Sequence, residues 1–221
     1  IVNRNKKLPY VTGKIAVSNN KLIYNKGTKR ITDKSSDKLT HYLRYKNDSI
    51  MISSKTLNID NPKLNCRLKG LEKFSPKRII LDRNLKIQMN SYILKSTKKN
   101  NTVIFHNSSN NKKIKILKKK GITLIRSKLD NKKLFSLKII FKELYNLGTR
   151  NLLIEGGDEI TKNLIKKRLF DKFYLFKSSK NLLVNRKHQI FTSYGMLNST
   201  YKKKSKLSSK LAKDKITIYK R

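Results

Sequence analysis

The segment ISSKTLNIDNPKLNCR, Ile52 to Arg67, places Ser54, Thr56, the carboxylate of Asp60, a proline turn and Arg67 directly behind an apolar strand. Hydroxyls, a carboxylate and a guanidinium in that order are groups that hold a polar ligand. Ser49 to Ser53 (SIMIS) reads as a short buried strand, so Ser54, Thr56 and Asp60 are expected in the loop at its carboxyl end, where open α/β sheets place ligands. Asn61-Pro62 marks a turn. A second constellation begins at Leu152 to Ile154, which runs into Glu155-Gly156-Gly157-Asp158 and a helix starting near Glu159. Strand, glycine turn and helix N-terminus together let a phosphate approach backbone N–H groups and the positive end of the helix dipole. The same residues also read as an ordinary tight βα turn. Asp158 and Glu159 would help cap the helix but oppose a phosphate, so the backbone would do the holding.

The elements that must position these groups alternate. Tyr10 to Ser18 (YVTGKIAVS) is a first strand, with Val11, Ile15 and Val17 on one face and Thr12, Lys14, Ala16 and Ser18 on the other, so a lysine sits at the centre of an otherwise clean strand. Thr32 or Ser35 can cap a helix to about Tyr45, with Leu39, Tyr42 and Leu43 as its buried stripe and Arg44 at its end. Further strands are expected at Arg78–Leu81, Thr102–Phe105, Ile122–Ile125, Leu152–Ile154 and Phe173–Phe176. Helices are expected at about Lys112–Lys119 and Leu134–Leu147, the second ended by Gly148. Strands alternating with helices imply a mainly parallel sheet covered on both faces. The tail from Tyr201 is lysine-rich, and Ile216–Tyr219 reads as a last edge strand.

Composition bounds what such an assembly can be. The 221 residues and 37% hydrophobic content suit a single α/β domain. One cysteine, Cys66, excludes an internal disulfide and a cysteine-cluster zinc site and fits a reducing cytoplasm. No run approaches the roughly 18 apolar residues of a membrane span. The chain opens on Ile rather than Met, as a piece of a longer protein would. The net charge of +42 invites a nucleic-acid reading, but lysine is spread along nearly every segment together with Asn and Ile, all with A/T-rich codons. Compositional drift explains that pattern without a backbone-binding face or stacking aromatics. His41, His106 and His188 lack metal spacing and read as structural or exposed.

Read against protein families, Ile52 to Arg67 resembles the signature T-V-L-x-D-D-P-x-L-T-x-R of the reductase domain of riboflavin-biosynthesis deaminase/reductases, in the dihydrofolate-reductase-like superfamily. Thr56, Asp60, Pro62, Leu64 and Arg67 match, while Asn61 and Asn65 depart. Glu155-Gly156-Gly157 resembles the family's V-E-G-G-x-x-L, and LPYVTGKIAVS its R-P-Y-V-x-L-K-x-A-x-S opening. GTKRIT resembles S-x-W-I-T, with Thr28 and Arg30 in the places of the serine and tryptophan. The resemblance implies a dihydrofolate-reductase-like α/β fold and NADPH-dependent reduction of 5-amino-6-(5-phosphoribosylamino)uracil in a cytoplasmic homodimer. No H-x-E…P-C-x-x-C deaminase signature is present, so the deaminase half lies outside this sequence.

By the same resemblance Thr28, Arg44, Leu64, Arg67 and Glu155 contact substrate. Ala16, Arg30, Thr56, Asp60, Arg83 and the stretch Gly157, Asp158, Glu159, Ile160, Thr161, Lys162 and Asn163 contact cofactor. Lys14 would lie on the ligand face as the catalytic candidate, supporting a phosphate charge or donating a proton, though it also reads as a snorkelling surface lysine. Arg44 and Arg67 would grip a phosphate with charge-assisted bonds suited to arginine's fork. Arg83, after the strand Arg78–Leu81, would meet the 2′-phosphate of NADP or stand as a solvated arginine. Two alternatives remain: the same fold acting on a pterin or another pyrimidine, and a basic nucleic-acid-binding protein.

Overall fold

A computed structural model of the chain describes residues 5–24, 30–98, 101–184, 188–207 and 214–221. Contacts divide it into two compact units, one comprising Arg44–Leu152 with the chain up to Tyr10, the other Val11–Leu43 with Leu153–Arg221.

The first unit carries β3 (Ser49–Ser53), β4 (Lys77–Leu81), β5 (Thr102–His106) and β6 (Thr123–Arg126), in the order β3-β4-β5-β6, with β7 (Asn151–Ile154) beside β3. The pairs β3/β4, β4/β5 and β5/β6 are parallel, in a register that sets Met51 opposite Ile79 and Ile104 opposite Leu124. Parallel strands covered on both faces need near-continuous apolar runs. SIMIS, KRIIL and TVIFH supply them, and Ile50, Met51, Ile52, Ile79, Ile80 and Ile104 are completely buried. Two amphipathic helices contribute Leu117, Ile140, Phe141 and Leu144 to the core: α4 (Asn111–Lys119) and α5 (Leu137–Asn146). Gly148 adopts φ +91° immediately beyond α5, the left-handed C-terminal stop that its position predicts.

In the second unit the order is β10 (Lys203–Leu207), β11 (Lys215–Lys220), β8 (Lys172–Lys177), β1 (Tyr10–Val17). β1 and β8 are parallel, while β11 runs antiparallel to both its neighbours. Leu22–Tyr24 (β2) and Gln189–Ile190 (β9) form a small separate ladder. Gly13 passes under the rings of Phe170 and Phe173, which meet edge-to-face with centroids 5.0 Å apart. The expected α/β class with a mainly parallel sheet flanked by helices is the one observed.

Several local expectations are corrected. Ser54, Thr56 and Asp60 lie not in a loop but in a helix, α2 (Ser54–Asp60), because Ser53 caps it: the Ser53 hydroxyl oxygen accepts from the Thr56 N–H at 3.2 Å. The first long helix, α1 (Lys34–Tyr45), is capped by Asp33, whose carboxylate accepts from the Ser36 N–H at 2.7 Å, rather than by Thr32 or Ser35. Its buried residues are Ser36, Thr40, His41, Leu43 and Arg44, while Tyr42 is exposed and Leu39 half-buried. The Ile216–Tyr219 strand is internal, because β10, unforeseen in its lysine-rich sequence, takes the edge position outside it. The short helix α3 (Tyr92–Lys95) and α7 (Tyr194–Thr200) were likewise not expected.

Candidate functional site

In the first unit the site is built where β3 hands over to α2. Ser53 Oγ lies 3.1 Å from Thr56 Oγ1 as well as capping the Thr56 N–H, so the two hydroxyls are fixed together in the first turn. Asp60 stands at the other end of this short helix. Although the residue as a whole is exposed, crowding around its carboxyl group removes solvent and pushes its pKa up to about 6. Asn61 then takes a left-handed conformation (φ 41°, ψ 53°) and its N–H caps Leu57, which explains why asparagine serves at this departure from the motif. Its side-chain oxygen accepts from the Tyr92 N–H at 2.7 Å and ties the loop to α3.

The following loop brings the arginines together. Leu64 is buried and left-handed, with φ 55° on a residue that has a branched side chain. Such strain costs on the order of 1–2 kcal/mol and persists where surrounding packing fixes it. Arg44, buried in the last turn of α1, donates from Nη1 to the Asn65 carbonyl at 3.2 Å. Arg67, exposed, donates from Nη1 to Asn65 Oδ1 at 3.0 Å. Both guanidinium groups expected to hold a phosphate therefore bond the same residue. A cavity of about 630 Å³ adjoins this loop, lined by Leu64, Asn65, Tyr92, Lys77 and Arg78 among others. Asp48, beside the amino end of β3, also lines it, and Thr56, Asp60, Arg44 and Arg67 do not.

Beyond β4, Asp82 is buried and accepts from the Lys86 and Ile87 N–H groups, which makes it the closure of a turn. Arg83 projects from that turn, exposed, and donates to the Lys133 carbonyl. Its guanidinium is thus directed by the loop before α5. His106 ends β5 buried, and its pKa is lowered first by burial. Among the described residues no group of three or more His, Cys, Asp or Glu is placed to hold a metal.

In the second unit Lys14 and Ala16 project from the half-buried face of β1, as the alternation requires, and the Lys14 ammonium sits 5.0 Å from the Phe176 ring centroid. Arg30 pairs with Asp37 of α1 at 3.2 Å, so its charge is engaged by the helix it precedes. Thr28 lies outside the described residues. Glu155 follows β7 directly, half-buried at the head of the glycine turn.

The helix after that turn, α6 (Asp158–Lys166), has Gly157 as its N-cap and no side-chain capping bond. The first-turn N–H groups of any helix lack acceptors within it, so an end capped by glycine suits the phosphates of a dinucleotide. Asp158 and Glu159 both stand in the first turn of α6, where their charge faces the positive end of the helix dipole. The Asp158 carboxylate accepts from the Ser193 N–H at 3.0 Å, from the Ser193 hydroxyl at 2.7 Å and from the Thr192 hydroxyl. These donors offset the charge that would oppose a phosphate. Farther along, Thr161 is buried and its N–H already donates to the Gly157 carbonyl, so the stretch able to hold a phosphate narrows toward the first turn.

Two groups of residues escaped the sequence. Asn65 reads only as a mismatch to the motif, and Thr192 and Ser193 are 34 and 35 residues away from Asp158 with no local signal.

Comparison with known proteins places the fold and the family. A riboflavin biosynthesis protein RibD of Aquifex aeolicus is 33% identical over 174 residues, covering 78% of this chain and 47% of the relative. The 2,5-diamino-6-ribosylamino-4(3H)-pyrimidinone 5′-phosphate reductase of Debaryomyces hansenii is 31% identical over 138 residues, covering 58% of this chain and 56% of its own length. The chain thus spans about half the length of these curated relatives. The fold matches that of Acinetobacter baumannii RibD with a TM-score of 0.77 at 17% identity, over 99% of this chain and 59% of that one. An Enterococcus faecalis dihydrofolate reductase matches more distantly, with a TM-score of 0.51 at 12% identity over 96% of each chain. Residues 9–214 fit the model of the RibD C-terminal domain, and the chain belongs to that family.

Proposed function

We propose that this chain is a single NADPH-dependent reductase domain acting on 5-amino-6-(5-phosphoribosylamino)uracil. The observation that carries the reading is the bonding of Arg44 and Arg67 to one residue, Asn65, which supplies two fixed cations where the family motif expects a substrate phosphate. In the first unit Leu64 and the arginine pair bind the phosphorylated substrate, while Thr56, Asp60 and Arg83 hold cofactor, Arg83 being the group suited to a 2′-phosphate. In the second unit Gly157 and the first turn of α6 hold phosphate through backbone N–H groups. Ala16 and Arg30 contact cofactor there, and Thr28 and Glu155 contact substrate. The chemistry supplied by bound NADPH is hydride transfer to C1′ of the opened ribosyl group, leaving a ribityl chain. Lys14, held against Phe176, is the candidate to deliver a proton or support negative charge. The rest of the protein's contribution is orientation and electrostatics. A homodimer in the cytoplasm completes the proposal. Among the described residues no helix is long and apolar enough to cross a membrane.

The test is NADPH oxidation by the purified chain with the uracil substrate and, separately, with the 2,5-diamino-pyrimidinone phosphate. Turnover of the first with a marked preference over the second is expected, together with weaker use of NADH. Turnover of neither would overturn the reading, and preference for the diamino compound would move the substrate one deamination earlier while leaving the reductase assignment intact.

A further inference from the structure

We infer that Asn65 is a positioning residue that presets the two phosphate-binding arginines, an inference that rests on the reductase reading above. Its two carbonyl-type oxygens serve different cations: the backbone oxygen accepts from Arg44 at 3.2 Å and Oδ1 accepts from Arg67 at 3.0 Å. The residue is itself clamped. Leu64 before it and Cys66 after it are buried, and the Cys66 N–H donates to the Ser75 hydroxyl at 3.1 Å. The left-handed turn at Leu64 sets the direction in which the next peptide presents its carbonyl.

The sign of the charge gives this arrangement its use. A neutral amide oxygen orients a guanidinium without cancelling its positive charge, whereas a carboxylate at the same place would form an ion pair and compete with an anionic ligand. Arg67 is exposed and long, and the Oδ1 contact narrows the directions it samples before an anion arrives, which matters because ordering a long side chain opposes association. Arg44 reaches the backbone of the same residue, so both guanidinium groups are tied to Asn65.

Steady-state kinetics on Asn65→Ala and Asn65→Asp, beside Arg44→Ala and Arg67→Ala, test the idea. Asn65→Ala is expected to raise KM for the phosphorylated substrate about three- to tenfold, the effect of losing one solvent-exposed hydrogen bond, with the change falling on KM rather than kcat. Asn65→Asp, nearly isosteric, is expected to raise it more than alanine does, because it keeps the contact and neutralises the charge. A residue that merely shaped the loop would give the opposite order, with aspartate restoring the native KM, and that result would overturn the inference. So would arginine variants that raise KM while both Asn65 variants match the native chain, an outcome that leaves the reductase reading standing. If Arg44→Ala and Arg67→Ala themselves leave KM unchanged, the phosphate assignment fails and this inference with it. Where Asn65→Ala lowers the yield of folded protein, Asn65→Asp alone carries the comparison.

Discussion

At Asp60 the environment of one carboxyl group sets a pH dependence with a definite sign. Its pKa is raised from 3.8 to about 6 by loss of solvent around the carboxyl. Between these values the unfolded chain releases the proton while the folded chain retains it, so stability falls as pH rises from about 4 to about 6 and is level above. Because the residue is exposed overall, screening limits the effect to about 1 kcal/mol. Asn in place of Asp60 removes this pH dependence. The Tm difference between D60N and the native chain should therefore grow by about 2–4 °C across that window, and a difference that stays flat with pH would show that the carboxyl titrates normally. Arg44 and Arg67 illustrate what single residues reveal and conceal. Their type and their place in the motif were legible in sequence, but that one is buried, the other exposed, and both bonded to Asn65 was not, because those facts depend on a loop turned by a left-handed leucine.

Elements with one dominant physical cause were readable, and those with competing causes were not. The buried strands announced themselves through continuous apolar runs, and α5 ended at the glycine expected to end it. α2 was misread because its hydroxyl residues suit a loop as well as a helix, and only the Ser53 cap decides between them. β10 carries Lys203, Lys204 and Lys206 and no alternation, so its identity as a strand comes wholly from its antiparallel register on β11. Lysine on an edge strand also discourages pairing with another chain. β1 shows how closely an element fits its neighbours. A Cβ added at Gly13 would stand 2.4 Å from Phe173 Cδ2 and 2.5 Å from Phe170 Cε1, both in buried rings. Gly13→Ala therefore has to displace two aromatic side chains in contact, an overpacking cost of about 1–3 kcal/mol that outweighs the entropy gained by replacing glycine in a strand. Urea unfolding of G13A should show that loss with an unchanged m-value, and equal or greater stability would mean that the rings can shift freely.

For the whole molecule the dominant fact is charge: 55 Lys and Arg against 13 Asp and Glu, a net +42. Repulsion among so many like charges opposes the compact state, while the same field draws in anionic ligands. Added salt shortens the reach of both effects, from a Debye length of roughly 14 Å at about 0.05 M to roughly 4 Å at about 0.5 M. The two consequences have opposite signs. Folded stability should rise with sodium chloride over that range by about 1–2 kcal/mol, or roughly 2–8 °C in Tm for a chain of this size. KM for the phosphorylated substrate should rise over the same range, because attraction weakens at the site as repulsion weakens everywhere else. Thermal melts and initial rates recorded in the same buffers separate the two. If Tm falls as salt is added, specific ion pairs such as Arg30–Asp37 and Arg221–Asp171 outweigh the general repulsion. If KM does not move, the field is too diffuse to assist binding, and the local arginines at Asn65 account for phosphate affinity without help from the surrounding lysines.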